Sequence, residues 1–196
     1  MLIKICGITT IEDAQQAIRA GADALGFNFY PKSPRCIPPQ QAGAMLAQLP
    51  DALLKVAVIV VGRGFPLPEI PERIDVVQVH GAAGQGDLPQ PGKRLWVAVT
   101  ARQADRFPHH EIVIDPSWGS GQKADWGELQ SLGRRPYILS GGLTPENVSE
   151  ALQRLDPVGI DVCSGVESVP GRKDHEKVTR FIQAARAARK AATTPT

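Results

Sequence analysis

Eight short runs rich in apolar and β-branched residues recur along the chain: Leu2–Ile8, Ala24–Tyr30, Leu53–Val61, Val76–His80, Arg94–Thr100, Glu111–Pro116, Tyr137–Gly142 and Gly159–Ser164. They are nearly continuous rather than alternating, the pattern of strands covered on both faces in a parallel sheet. Spread over 196 residues they leave about 24 residues per unit, enough for a strand and a crossover but too many for hairpins.

The segments between the strands differ in strength. Ile11–Ala20 follows Thr9 and Thr10, with Glu12 and Asp13 at capping-box spacing behind them. Pro39–Leu49 predicts a helix, and Pro145 occupies a first helical position behind the cap Thr144. Residues 173–192 carry Val178, Phe181, Ile182 and Ala185 on one stripe, and their basic last turns suit the negative end of a helix dipole. Two crossovers, residues 62–75 and 81–93, hold so much Pro and Gly that full helices are not expected there. The alternation predicts an α/β fold, a compact single-domain (β/α)8 TIM barrel over residues 1–192, with 193–196 as a disordered tail. The pattern alone leaves a doubly wound open sheet as the alternative.

Charge and composition exclude several classes of function. Lys+Arg less Asp+Glu is 22 − 20 = +2, too balanced for a nucleic-acid footprint. No apolar run approaches the roughly 18 residues of a membrane span. Glu12 and Asp13 interrupt any signal-peptide core, so a cytoplasmic location is expected. The cysteines, Cys6, Cys36 and Cys163, are odd in number and form no CxxC pair, which argues against a disulfide framework or a structural zinc. GSGQKA at Gly119–Ala124 lacks the third glycine of a dinucleotide fingerprint, and there is no GxxxxGK[ST], HExxH or G-x-S-x-G run. No metal and no cofactor is expected.

In a barrel of this kind, chemistry gathers at the C-terminal ends of the strands. Cys6 and Asp115 end the first and sixth strands. A thiol there can serve as base or nucleophile where nearby positive charge lowers its pKa, and a carboxyl raised by burial can serve as general acid. A core cysteine and a loop-capping aspartate are the bland alternatives. Gly141 and Gly142 after strand seven, with Ser164 and Gly165 after strand eight, let backbone N–H groups approach an anion, and these are the loops where barrels frequently hold phosphate. Arg35 can clamp a carboxylate bidentately or be a solvated loop residue. Gln78 and His80 end strand four and line the mouth, or else His80 is a satisfied core histidine. His109 and His110 read as surface loop residues.

Six runs, KICGIT (4–9), GADALGFNFYPKSPRCI (21–37), VQVHG (77–81), GSGQKADW (119–126), ILSGGLTPENV (138–148) and GIDVCSGVESVPGRKD (159–174), together resemble the phosphoribosylanthranilate isomerase family. They span the chain in that family's order. The resemblance implies an Amadori rearrangement of N-(5-phosphoribosyl)anthranilate to the 1-deoxyribulose 5-phosphate aminoketose, the third step of tryptophan biosynthesis from chorismate. It implies Cys6 as general base, Asp115 as general acid, Arg35 on the anthranilate carboxylate and the two glycine loops on phosphate. The implied partner is a small phosphorylated substrate, with no nucleic acid or membrane, and the chain is a monomer or a homodimer. Cys163 stands where the family often has serine, and Val60–Val61 precede no asparagine, so one contact at the mouth is expected to be missing. Two rivals are a histidine-pathway sugar-phosphate isomerase, which resembles this family but uses a pair of aspartates, and a phosphate-binding barrel kept as a sensor.

Overall fold

The structure is a computed structural model and describes residues 1–62, 64, 66–115, 126–129 and 132–193. Eight strands form the barrel: β1 Leu2–Ile5, β2 Ala24–Asn28, β3 Leu54–Val60, β4 Val76–His80, β5 Arg94–Val99, β6 Glu111–Ile114, β7 Tyr137–Leu139 and β8 Gly159–Val162. All neighbours pair in parallel, and β8 returns to β1 through the register Leu2↔Gly159 to Ile5↔Val162, which closes the barrel and excludes the open sheet.

Both faces of the strands are buried, which is why their sequences hardly alternate in hydropathy. One set of side chains, including Ile3, Ile5, Leu25, Phe27, Ile112 and Ile160, packs outward against the helices. The other set, Ala24, Val56, Val76, Trp96, Ala98, Val113 and Ile138, fills the barrel interior. Trp96 is only 1% exposed.

Helix α1 (Ile11–Ala20) starts as expected, with the Thr10 side chain accepting the Asp13 N–H, and stops at Gly21 in the left-handed conformation. Helix α2 (Pro39–Leu46) ends three residues before the expected Leu49. Among the described residues of 62–75 and 81–93 no α-helix forms, and the chain makes only a 3₁₀ turn at Gln85–Asp87, in line with their Pro and Gly content. The β5–β6 crossover is also reduced, to a 3₁₀ segment Ala101–Arg106, which the sequence did not announce. Among the described residues between β6 and β7 is the helical turn α3 (Trp126–Leu129). The expected strand end at Pro116 and the run GSGQKA fall outside the described residues.

Two helix starts move from their expected positions. Asn147 accepts the Thr144 N–H through Oδ1 and donates to the Gly142 carbonyl through Nδ2. Those bonds tie residues 142–147 into a turn, so α4 (Val148–Arg154) begins after Asn147 rather than at Pro145. Lys173, expected at the start of the last helix, instead ends an antiparallel hairpin, β9 (Glu167–Val169) and β10 (Arg172–Lys173). Asp174 then accepts the Lys177 N–H and caps α5 (His175–Thr193), which runs through Thr193 into the expected tail. Residues 194–196 lie outside the described residues. No described helix is long and apolar enough to cross a membrane.

Candidate active site

The C-terminal ends of the strands surround a cavity of about 600 Å³, within the usual range for a small-molecule pocket. Every site residue expected from the sequence lines it: Cys6, Arg35, Gln78, His80, Asp115, Gly141, Gly142, Ser164 and Gly165. Val60 and Cys163, the two departures from the family pattern, line it as well. His109 is exposed as expected, whereas His110 is half-buried with its ring edge-on to Phe107, 6.2 Å between centroids.

Cys6 follows β1 with its backbone N–H bonded to the Val162 carbonyl, and that brings it beside Cys163, the residue after β8. The space for its sulfur is made by Gly26, where a Cβ would lie 2.7 Å from Cys6 Sγ and 3.0 Å from the Lys4 Cε. The neighbouring Cys163 thiol and the charge of Lys4 outweigh burial and lower the Cys6 pKa to about 7. Cys163 moves the opposite way and keeps its proton, since Cys6 opposes its ionisation and burial adds to the effect. The two shifts run in opposite directions, so Cys6 is the more acidic thiol of the pair.

The floor of the cavity is a buried polar chain. Lys4 Nζ donates to Asp161 Oδ2 at 2.9 Å and to Gln78 Oε1 at 3.0 Å. Burial opposes the Lys4 charge, but Asp161 and Cys6 more than restore it and its pKa is raised. An ammonium can only donate, so the Gln78 carbonyl faces Lys4 and its NH₂ faces His80 Nε2, at 2.9 Å. His80 Nε2 must therefore accept, which makes the ring neutral with its proton on Nδ1. Burial lowers the His80 pKa and supports that state. Asp115, 7% exposed, follows β6 and lies near enough to His80 to act on its charge.

Arg35 is not a solvated loop residue. Its Nε and Nη2 donate to the two oxygens of Glu167 at 2.9 and 2.7 Å, and Lys173 Nζ donates to the same carboxylate at 2.9 Å. At the other rim, Gly141 and Gly142 adopt φ of 87° and 65°, which side chains rarely tolerate. A Cβ on Gly165 would lie 1.9 Å from the Leu143 carbonyl oxygen, so the β7 and β8 loops are in direct backbone contact. The N–H groups of Gly141, Gly142 and Leu143 donate to no other described group.

Sequence reasoning passed over Lys4, Asp161, Glu167 and Lys173. Lys4 and Asp161 had a signal: each is one charge in an apolar strand, on the same alternation as Cys6 and Cys163. Glu167 and Lys173 had none beyond their place in the family-like run. No group of His, Cys, Asp and Glu among the described residues is arranged to hold a metal ion.

Fold and pocket define the class, a (β/α)8-barrel enzyme with its site at the C-terminal face. Residues 3–184 match the sequence profile of N-(5'-phosphoribosyl)anthranilate (PRA) isomerase, and the chain belongs to that family, the isomerases of tryptophan biosynthesis. The N-(5'-phosphoribosyl)anthranilate isomerase of Solibacter usitatus is 40% identical over 201 residues, covering 96% of this chain and 98% of the relative. The crystal structure of phosphoribosyl anthranilate isomerase from Thermotoga maritima superposes with a TM-score of 0.82 at 35% identity, covering 95% of this chain and 99% of that one. A further structure, with a TM-score of 0.80 at 33% identity and covering 95% of this chain and all of that one, is of the isomerase in complex with reduced 1-(o-carboxyphenylamino)-1-deoxyribulose 5-phosphate.

Proposed function

We propose that this chain converts N-(5'-phosphoribosyl)anthranilate to 1-(2-carboxyphenylamino)-1-deoxyribulose 5-phosphate, with Cys6 as general base and Asp115 as general acid. The observation that carries the assignment of roles is the depressed Cys6 thiol facing the same cavity as the buried Asp115. In this reaction Asp115 gives a proton to the furanose ring oxygen, and the ring opens to the Schiff base. Cys6 then takes the proton from C2', and the resulting enolamine tautomerises to the ketone. Both steps are proton transfers, and a thiol ionising near neutrality sits at the most effective pKa for that work.

The remaining contacts follow from charge. Arg35 meets the anthranilate carboxylate, and the N–H groups of the β7 and β8 loops, at Gly141, Gly142, Ser164 and Gly165, meet the phosphate. Gln78 and neutral His80 line the wall between the two reacting groups. A phosphate ester does not cross a bilayer unaided, so the enzyme works where its substrate is made, and we place it in the cytoplasm. Sedimentation would distinguish the monomer from the homodimer.

The test is turnover of substrate generated in situ, followed by the loss of anthranilate-type fluorescence. Cys6→Ala and Asp115→Ala should each lose about 10²- to 10⁴-fold in kcat with KM little changed. Near-full rate in either variant would overturn its assigned role. A sensor would bind the reduced product analogue tightly without turning the substrate over. Preferential turnover of the histidine-pathway aminoaldose would redirect the assignment of substrate.

A further inference from the structure

The hairpin β9–β10 is the part of the run SGVESVPGRKD that the proposed chemistry leaves without a task. Its turn holds Gly171 at φ +86°, and a Cβ there would stand 3.0 Å from the Pro34 carbonyl oxygen. The turn therefore packs directly against the loop that carries Arg35. Glu167, 7% exposed, receives the Arg35 guanidinium fork on fork, and it also accepts the Gly171 N–H at 3.3 Å. Lys173, 6% exposed, donates to the same carboxylate at 2.9 Å and to the Cys163 carbonyl at 3.3 Å. On the opposite side the Arg35 stem lies over Gly7, where a Cβ would approach Arg35 Cδ to 2.7 Å and Cys163 Sγ to 2.8 Å. The guanidinium is held at its stem by the residue that follows Cys6 and at its fork by the hairpin.

A guanidinium has five N–H groups in one plane, and Glu167 takes one on Nε and one on Nη2. The edge formed by Nη1 and the second Nη2 hydrogen remains, with the right geometry for one more planar carboxylate. The charges of Arg35, Glu167 and Lys173 add to +1, so the cluster keeps one positive charge for an anionic ligand. We propose that Glu167, held by Lys173, is a positioning residue that fixes the plane of Arg35 and makes the site select the carboxylated aryl amine over its counterpart without the carboxyl group. The proposal rests on the reading that Arg35 binds the substrate carboxylate.

The sign of one substitution separates positioning from charge. Glu167→Gln removes a negative charge beside the ligand, and electrostatics alone would tighten binding of an anion. Loss of positioning weakens it. The measurement is the Kd of the reduced product analogue and of the same compound lacking its carboxyl group, together with kcat and KM. Glu167→Gln should raise KM and the Kd of the carboxylated analogue about tenfold, change kcat by less than about threefold, and leave the decarboxylated analogue unaffected. Glu167→Asp should recover part of the loss. Unchanged or tighter binding of the carboxylated analogue, or equal losses on both compounds, overturns the proposal. If Glu167→Gln does not fold, Lys173→Met gives a second reading, weaker binding confined to the carboxylated compound, and equal losses there would also overturn it. Arg35→Ala tests the underlying reading separately. If it leaves the two affinities in their original ratio, the carboxylate is not bound by Arg35 at all. If it abolishes the preference while Glu167→Gln does not, Arg35 stands and the positioning role falls.

Discussion

Cys6 loses its proton more readily than a free thiol because the Cys163 thiol lies beside it and Lys4 faces it, both acting against burial. Its thiolate is depleted as pH falls through about 7, so kcat/KM should decline about tenfold per pH unit in acid. Cys163→Ala removes that neighbouring thiol and should move the acid limb to higher pH, while Cys163→Ser, which keeps an O–H, should move it less. An unmoved limb in the alanine variant would remove Cys163 from the account of the base. Gly26→Ala places a Cβ 2.7 Å from Cys6 Sγ and 3.1 Å from the Cys6 Cα. Backbone cannot yield as a side chain does, so turnover should fall by about 10²-fold or more as the sulfur is displaced. A Gly26→Ala enzyme with normal kcat would show that the sulfur has room the structure does not show.

Loops rather than regular elements shape the pocket, and each is fastened by a specific bond. The β7 loop is fastened by Asn147, through Thr144 and Gly142, and the β8 loop is pressed onto it at Gly165. Gly165→Ala puts a Cβ 1.9 Å from the Leu143 carbonyl oxygen and must drive the two loops apart. The expected result is a raised KM together with a loss of about 1–3 kcal/mol in stability, read by urea denaturation. A variant with unchanged KM would separate phosphate binding from this contact. At α1, Thr10 accepts the Asp13 N–H at 3.2 Å, and Thr10→Ala should cost about 1 kcal/mol without touching catalysis.

For the molecule as a whole, stability rests on a barrel filled from the inside. Among the described residues three crossovers, 62–75, 81–93 and Ala101–Arg106, show no α-helix, so the outer layer is thin there. The interior compensates with Trp96, which lies among Val56, Val76, Val113 and Ile138 under the polar floor, with Arg94 over its ring at 5.8 Å. Trp96→Ala should cost about 3–5 kcal/mol, since the closed wall of strands cannot collapse into the space. A loss below about 1 kcal/mol in chemical denaturation would mean that the interior is not the main support. Lys4→Met should be comparably costly, at about 3–5 kcal/mol, because it leaves the buried Asp161 without its ammonium partner.

Strand positions, the weak crossovers and the α1 cap were legible in the sequence because each depends on neighbours within a few residues: apolar content, Pro and Gly, a threonine three positions from an N–H. Family-like runs also marked Cys6, Asp115, Arg35 and the glycine loops before any contact was visible. The partners of those residues were not legible. Lys4 meets Asp161 across 157 residues, and Arg35 meets Glu167 across 132. Such pairs exist only because β8 closes on β1 and the β9–β10 hairpin folds back over the mouth. A strand's alternation says that a charge points inward, but register and closure decide which charge it meets. Sequence alone thus determined the barrel strands and the kind of chemistry, and tertiary structure decided the ionisation of Cys6 and the orientation of Arg35, because both depend on groups brought close together by barrel closure.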